Sequence, residues 1–148
     1  MSPAEVHRYV CSAFDEFVNR RLAGVGSQDW DSFRAELLAW VRAIDQEVSF
    51  AGLVSILESE RRYQYQDIAG ELLDKGNIVC PLSLEDFMQR VLPLWDLSAA
   101  TVPRYAARVF GREAVLTLMR KLKTSGVTWA GPGTLDGVCY RLGEHPGD

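Results

Sequence analysis

The sequence predicts an all-α protein of about seven to eight helices. Three observations carry this. Apolar residues return at spacings of three and four along most of the 148 residues. Capping residues and glycine or proline stops punctuate those stretches at helical lengths. No segment alternates apolar and polar residues long enough for a strand, and VTWA (127–130) is the one weak candidate.

Ser2-Pro3-Ala4-Glu5 has the form of a capping box with proline at the first helical position. Val6, Tyr9, Val10, Ala13, Phe14, Phe17 and Val18 then form one stripe of a helix to about residue 22, which Gly24-Val25-Gly26 stops. Ser27 or Asp29 caps a second helix, whose apolar face holds Trp30, Phe33, Leu37, Leu38, Trp40, Val41 and Ile44. Two tryptophans on so short a helix predict deep packing on that side. Ser49 reads as the cap of a third helix through Phe50, Leu53, Val54 and Leu57, with a turn at 58–62.

In the fourth, Ile68, Ala69, Leu72 and Leu73 line one face and Asp67, Glu71 and Asp74 another, before the stop Gly76-Asn77. Ser83 caps a fifth helix with Phe87, Val91 and Leu94 on its stripe, and Pro93 ends it. Ser98 is the expected cap of a sixth, with Val102, Tyr105, Ala106, Val109 and Phe110, closed by Gly111. Val115, Leu116, Leu118, Met119 and Leu122 make a seventh that ends in a basic turn, as the helix dipole favours. Thr134–Leu142 is a last short helix, weakened by Gly137, and His145–Asp148 reads as a frayed end.

A fixed-offset comparison finds an internal echo. Thirty-seven residues on, Phe50, Val54 and Leu57 fall on Phe87, Val91 and Leu94, and Ala69, Leu72 and Leu73 fall on Ala106, Val109 and Phe110. A helix pair over 49–75 is thus followed by a related pair over 83–110, and a third begins after Gly111. One such pair cannot cover its own apolar face, so neighbours must bury it. The small residues Ala69, Gly70, Ala106 and Ala107 allow close approach.

With second helices reading DIAGELLDKG (67–76) and RYAARVFG (104–111), residues 49–123 resemble the HEAT-like helical repeats. The resemblance implies a right-handed stack of antiparallel hairpins. The second helices then line a concave face. The chain divides into an N-terminal helical pair (1–46), the hairpins (49–123) and a C-terminal loop and short helix (124–148), all in one domain. On that face Asp67 and Glu71 are expected to pair with Arg104 and Arg108, the residues at matching positions. Tyr63, Asp67, Glu71, Asp74, Arg104, Arg108 and Arg112 are the candidate partner-binding residues.

Chemistry is scarce in the pattern. The two histidines, His7 and His145, lie near opposite ends, and each reads as a histidine without partners. No HExxH, clustered Cys/His set, nucleophile elbow or phosphate loop is present, and GPGTLDG (131–137) reads as a turn. Cys11, Cys80 and Cys139 are scattered, which suits packing thiols in a reducing compartment. No signal peptide and no apolar stretch of membrane-spanning length appears, so a cytoplasmic chain without membrane contact is expected. Formal charge is −4, from 20 acids and 16 bases. Residues 1–60 hold 10 acids and 5 bases, so that half suits a basic partner.

These features point to a non-enzymatic protein-binding module, without cofactor or metal. It would occlude or scaffold a cognate protein; in its concrete form it is an immunity protein neutralising a toxin. One alternative is a nucleic-acid or anion-binding adaptor that uses the basic segment 104–123, as HEAT-like proteins that repair alkylated DNA use basic and aromatic residues in a concave channel. The acidic balance speaks against it. A second alternative is a small helical enzyme with dispersed carboxylates.

Overall fold

The local signals become eight helices in the structure, a computed structural model that describes residues 1–26 and 28–144. They are α1 (Pro3–Leu22), α2 (Trp30–Arg42), α3 (Gln46–Ser59), α4 (Tyr63–Lys75), α5 (Leu84–Val91), α6 (Thr101–Phe110), α7 (Arg112–Ser125) and α8 (Pro132–Arg141). Among the described residues there is no strand. The segment 127–130 forms a bend that buries Ala130. Ser27 and the end 145–148, with His145, lie outside the described residues.

Three expected caps are in place. The Ser2 hydroxyl accepts from Glu5 N at 3.2 Å, Asp29 Oδ1 from Ser32 N at 2.7 Å, and Ser83 Oγ from Asp86 N at 3.2 Å. Two others move. Asp45, not Ser49, caps α3, accepting from Glu47 N and Val48 N. Ser49 lies one turn inside, buried, and donates to the Val41 carbonyl at 3.3 Å. Ser98 precedes α6 by too much to cap it, and its own N–H is held by Asp96.

Helices in the first position of each pair, α1, α3 and α5, touch in succession; so do α2, α4 and α6 in the second position. Helix α3 packs on α4 within its hairpin, and α6, α7 and α8 continue the chain of neighbours. One core cluster runs from Val6 in α1 to Val138 in α8. Helices α1 and α2 meet through rings: Tyr9 stacks on Trp40 at 3.9 Å between centroids, and Phe17 on Phe33 at 4.4 Å. The tryptophans of α2 are therefore plates at the edge of the molecule, and the expected deep burial does not occur. Trp40 is half-buried and Trp30 is 39% exposed.

The seam between α4 and α6 is tight because Gly70 has no side chain. A Cβ there would lie 2.3 Å from Thr101 Oγ1 and 3.0 Å from the Thr101 and Val102 backbone. This contact sets the register of the two helices. Gly137 likewise clears space, for Leu97 and Trp95 at the foot of α8, so the residue that weakens this helix also seats it.

Gln66 sits on the same stripe as Ala69 and Leu73 and is completely buried. Its Nε2 donates to Glu60 O at 2.9 Å and Leu94 O at 2.8 Å, while its Oε1 accepts from Asp96 N at 2.9 Å. One amide thus satisfies backbone groups in the α3–α4 and α5–α6 connections together.

Candidate functional site

Four helices leave a groove of about 500 Å³ between the N-terminal pair and the α4–α6 seam. Phe14, Phe17 and Val18 of α1, Trp30 of α2 and Ile68 of α4 give it an apolar wall. Arg34, Tyr63, Asp67, Glu71, Thr101 and Arg104 supply its polar groups. The positions follow from helical period: Phe14, Phe17 and Val18 share one face of α1, and Asp67 and Glu71 lie one turn apart on α4.

The expected charge ladder between α4 and α6 does not form. Asp67 Oδ1 accepts from Thr101 N at 3.2 Å, and Thr101 Oγ1 donates to Asp67 O at 2.6 Å. Asp67 thereby caps α6, which has no cap from its own flank. A carboxylate at this helix N-terminus also meets the positive end of the dipole. Glu71, buried, accepts from Arg34 of α2 at 2.9 Å. Asp74, also buried, pairs with Arg108, whose guanidinium lies over the Tyr105 ring. Cross-helix partners are thus 34 residues apart, where the echo predicts 37. The Gly70 contact draws Thr101 beside Asp67 and slides the ladder by about one turn. Arg104 is left exposed at the groove, with no ion pair among the described residues.

Of the seven candidate residues, Tyr63, Asp67, Glu71 and Arg104 come together in the groove. Asp74 and Arg108 are spent on each other one turn further along. Arg112 is apart from them at the start of α7, where it bonds Leu142 O and Glu113. The rest of the basic segment is similarly engaged: Arg120 pairs with Glu144 at 2.8 Å and Lys123 with Asp136 at 2.8 Å. Both cations have their pKa raised by these carboxylates.

Sequence reasoning missed a second cluster. His7 and Cys11 are one turn apart on α1, and Glu60 arrives from the end of α3. One ligand atom from each lies within 4.8 Å of the others. His7 has two partners: Nδ1 is 2.8 Å from Ser55 Oγ and Nε2 is 3.0 Å from Glu60 Oε1. This corrects the expectation of a histidine without partners. The H-x₃-C spacing was the available signal; Glu60 gave none, being 49 residues beyond Cys11. Burial, with the charges of Glu60 and Asp15, pushes the Cys11 thiol up to about 12. Burial also raises Cys80 and Cys139, so none of the three is an activated nucleophile.

Among the described residues no helix is long and apolar enough to cross a membrane. No family model, curated protein or solved structure matches the chain.

Proposed function

We propose that this chain is a protein-binding module whose groove grips a partner segment carrying an apolar side chain beside a carboxylate. The apolar group would seat against Phe14, Phe17 and Trp30, and the carboxylate would meet Arg104. The single observation behind this reading is that Arg104 has no ion pair among the described residues, at the rim of an aromatic groove where Arg34 and Glu71 pair with each other and Asp67 accepts from Thr101 N. Tryptophan, tyrosine and arginine dominate binding energy at protein interfaces, and Trp30, Tyr63 and Arg104 are all exposed here. An immunity protein that blocks a toxin is one protein of this kind. The adaptor reading is less favoured, because Arg108, Arg112, Arg120 and Lys123 already face carboxylates.

A random peptide library displayed on phage and selected on the immobilised chain tests the proposal. Enriched peptides are expected to pair an aromatic or aliphatic residue with Asp or Glu. Arg104→Glu and Trp30→Ala are each expected to weaken their binding by about tenfold or more. The melting temperature should stay within a few degrees for Arg104→Glu, whereas Trp30→Ala also loses ring contacts with Phe14, Phe17 and Phe33 and lowers it. Failure to enrich, or binding indifferent to both substitutions, would overturn the proposal. Salt-dependent retention of RNA by the chain, lost in Arg104→Glu, would transfer the face to nucleic acid.

A further inference from the structure

The hydrogen bonds around His7 leave one contact unresolved. Ser55 Oγ donates to Gly52 O at 2.8 Å, which uses its single proton. With that proton used, the hydroxyl accepts from His7 in the tautomer that carries its proton on Nδ1, 2.8 Å away. That tautomer turns the Nε2 lone pair toward Glu60 Oε1, 3.0 Å away. A lone pair and a carboxylate repel at that distance. In this tautomer the contact is satisfied by a metal ion bound to both atoms, and in the other by a proton on Nε2 donated to Glu60.

The surroundings favour a metal. A ring whose far nitrogen is fixed by a hydroxyl–carbonyl chain has the outer-shell support typical of a ligating histidine. Cys11 supplies a soft third donor from the next turn of the same helix face, and Glu60 crosses from α3. The Glu60 backbone is anchored by Gln66. The His7 and Glu60 side chains are 21% and 34% exposed, so an ion has a path in and a water can reach an open position. Asp15, one turn beyond Cys11 and held by Tyr65, adds negative charge near the thiol.

We infer that His7 Nε2, Cys11 Sγ and a Glu60 carboxylate oxygen form a binding site for a zinc-class divalent ion, with solvent in the fourth position. Imidazole, thiolate and carboxylate together suit Zn²⁺ better than the harder Mg²⁺ or Ca²⁺. Tetrahedral zinc holds its donors about 3.3–3.6 Å from one another. His7 and Glu60 are already near that distance at 3.0 Å, and the thiol lies within 4.8 Å of both ligand atoms. Binding displaces the thiol proton to solvent and leaves a thiolate on the metal. The ion would fasten the N-terminal helix to the end of α3, independently of the groove.

The test uses the reduced, chelator-treated full chain, titrated with Co²⁺ and then Zn²⁺. One equivalent of Co²⁺ is expected to give thiolate-to-cobalt charge transfer and the visible bands of a four-coordinate ion, both removed by Zn²⁺. Cys80→Ser with Cys139→Ser should retain the bands, and Cys11→Ser should abolish them. His7→Gln and Glu60→Gln should each weaken binding by at least about tenfold, and Ser55→Ala by about 10–100-fold. Zinc at a hundredfold excess over its Kd should raise the melting temperature by roughly 5 °C or more. Should Cys11→Ser not fold, zinc X-ray absorption on the Cys80→Ser, Cys139→Ser chain decides, with one sulfur expected at about 2.3 Å. The inference is overturned by absence of saturable binding near one equivalent, by a zinc shell without sulfur, or by bands that survive in folded Cys11→Ser. In that case the proton on Nε2 is the resolution.

Discussion

Replacing Gly70 by alanine tests the α4–α6 seam that forms one wall of the groove. On an ordinary helix surface this change stabilises by about 1 kcal/mol, since glycine is a poor helix former. Here the new methyl would stand 2.3 Å from Thr101 Oγ1 and 3.0 Å from two backbone atoms of α6. Thr101 is buried and cannot swing into solvent. It must abandon its 2.6 Å bond to Asp67 O, and α6 must retreat by a few tenths of an ångström. Overpacking of this kind costs about 1–3 kcal/mol. The lost hydrogen bond adds about 0.5–1.5 kcal/mol. The net is a destabilisation of about 1–3 kcal/mol, or roughly 3–10 °C in melting temperature for a domain of this size. Far-ultraviolet circular dichroism on heating measures it. Gly133→Ala is the control, because a Cβ there meets nothing within 4 Å. Thr101→Ala removes the worst clash, so the pair should show a coupling of at least about 0.5 kcal/mol. A rise in melting temperature for Gly70→Ala, equal to that of the control, would refute the reasoning.

Gln66→Leu keeps the volume but orphans the Glu60 and Leu94 carbonyls and the Asp96 N–H. It is expected to cost about 3 kcal/mol or more in urea unfolding, and a cost under about 1 kcal/mol would show that water replaces the amide. Alkali should weaken the fold, because the folded state holds the Cys11 thiol and the Tyr65 phenol protonated to about 12, against ordinary values of 9.0 and 10.0. The unfolded chain loses these protons first, so this contribution is intact below pH 9 and is lost as pH rises toward 12. Melting curves across that range check it, and Cys11→Ser should flatten the lower part of the slope.

What could be read from the chain is what neighbouring residues decide. Ser2, Asp29 and Ser83 cap as expected, because a cap acts within three residues. Gly111, at φ 94°, ends α6 where its pattern stops. Gly70 fits the expectation of close helices, since only a missing Cβ allows that distance. What could not be read depends on register between helices. Nothing in the sequence says that α6 takes its cap from Asp67, or that Arg34 reaches Glu71, because both partners come from another helix. Ser49 resembles a cap, but Asp45 starts the helix one turn earlier. Trp30 was legible as apolar but not as exposed, since exposure depends on what α1 leaves uncovered. Gln66 was the missed clue: an amide on an apolar stripe asks for partners, and the structure supplies three.

That amide also governs how the molecule comes apart. In an open array of hairpins each unit can melt with only its nearest neighbours disturbed. Here the inner links of two successive hairpins, α3–α4 and α5–α6, hang on a single side chain. Neither link can loosen without exposing the other's peptide groups, so local fraying of one is coupled to the other. Hydrogen exchange at the Asp96 amide then reports cooperative opening across two hairpins. A residue inserted into either link would dislocate both, which makes these short connections poor places to graft a loop.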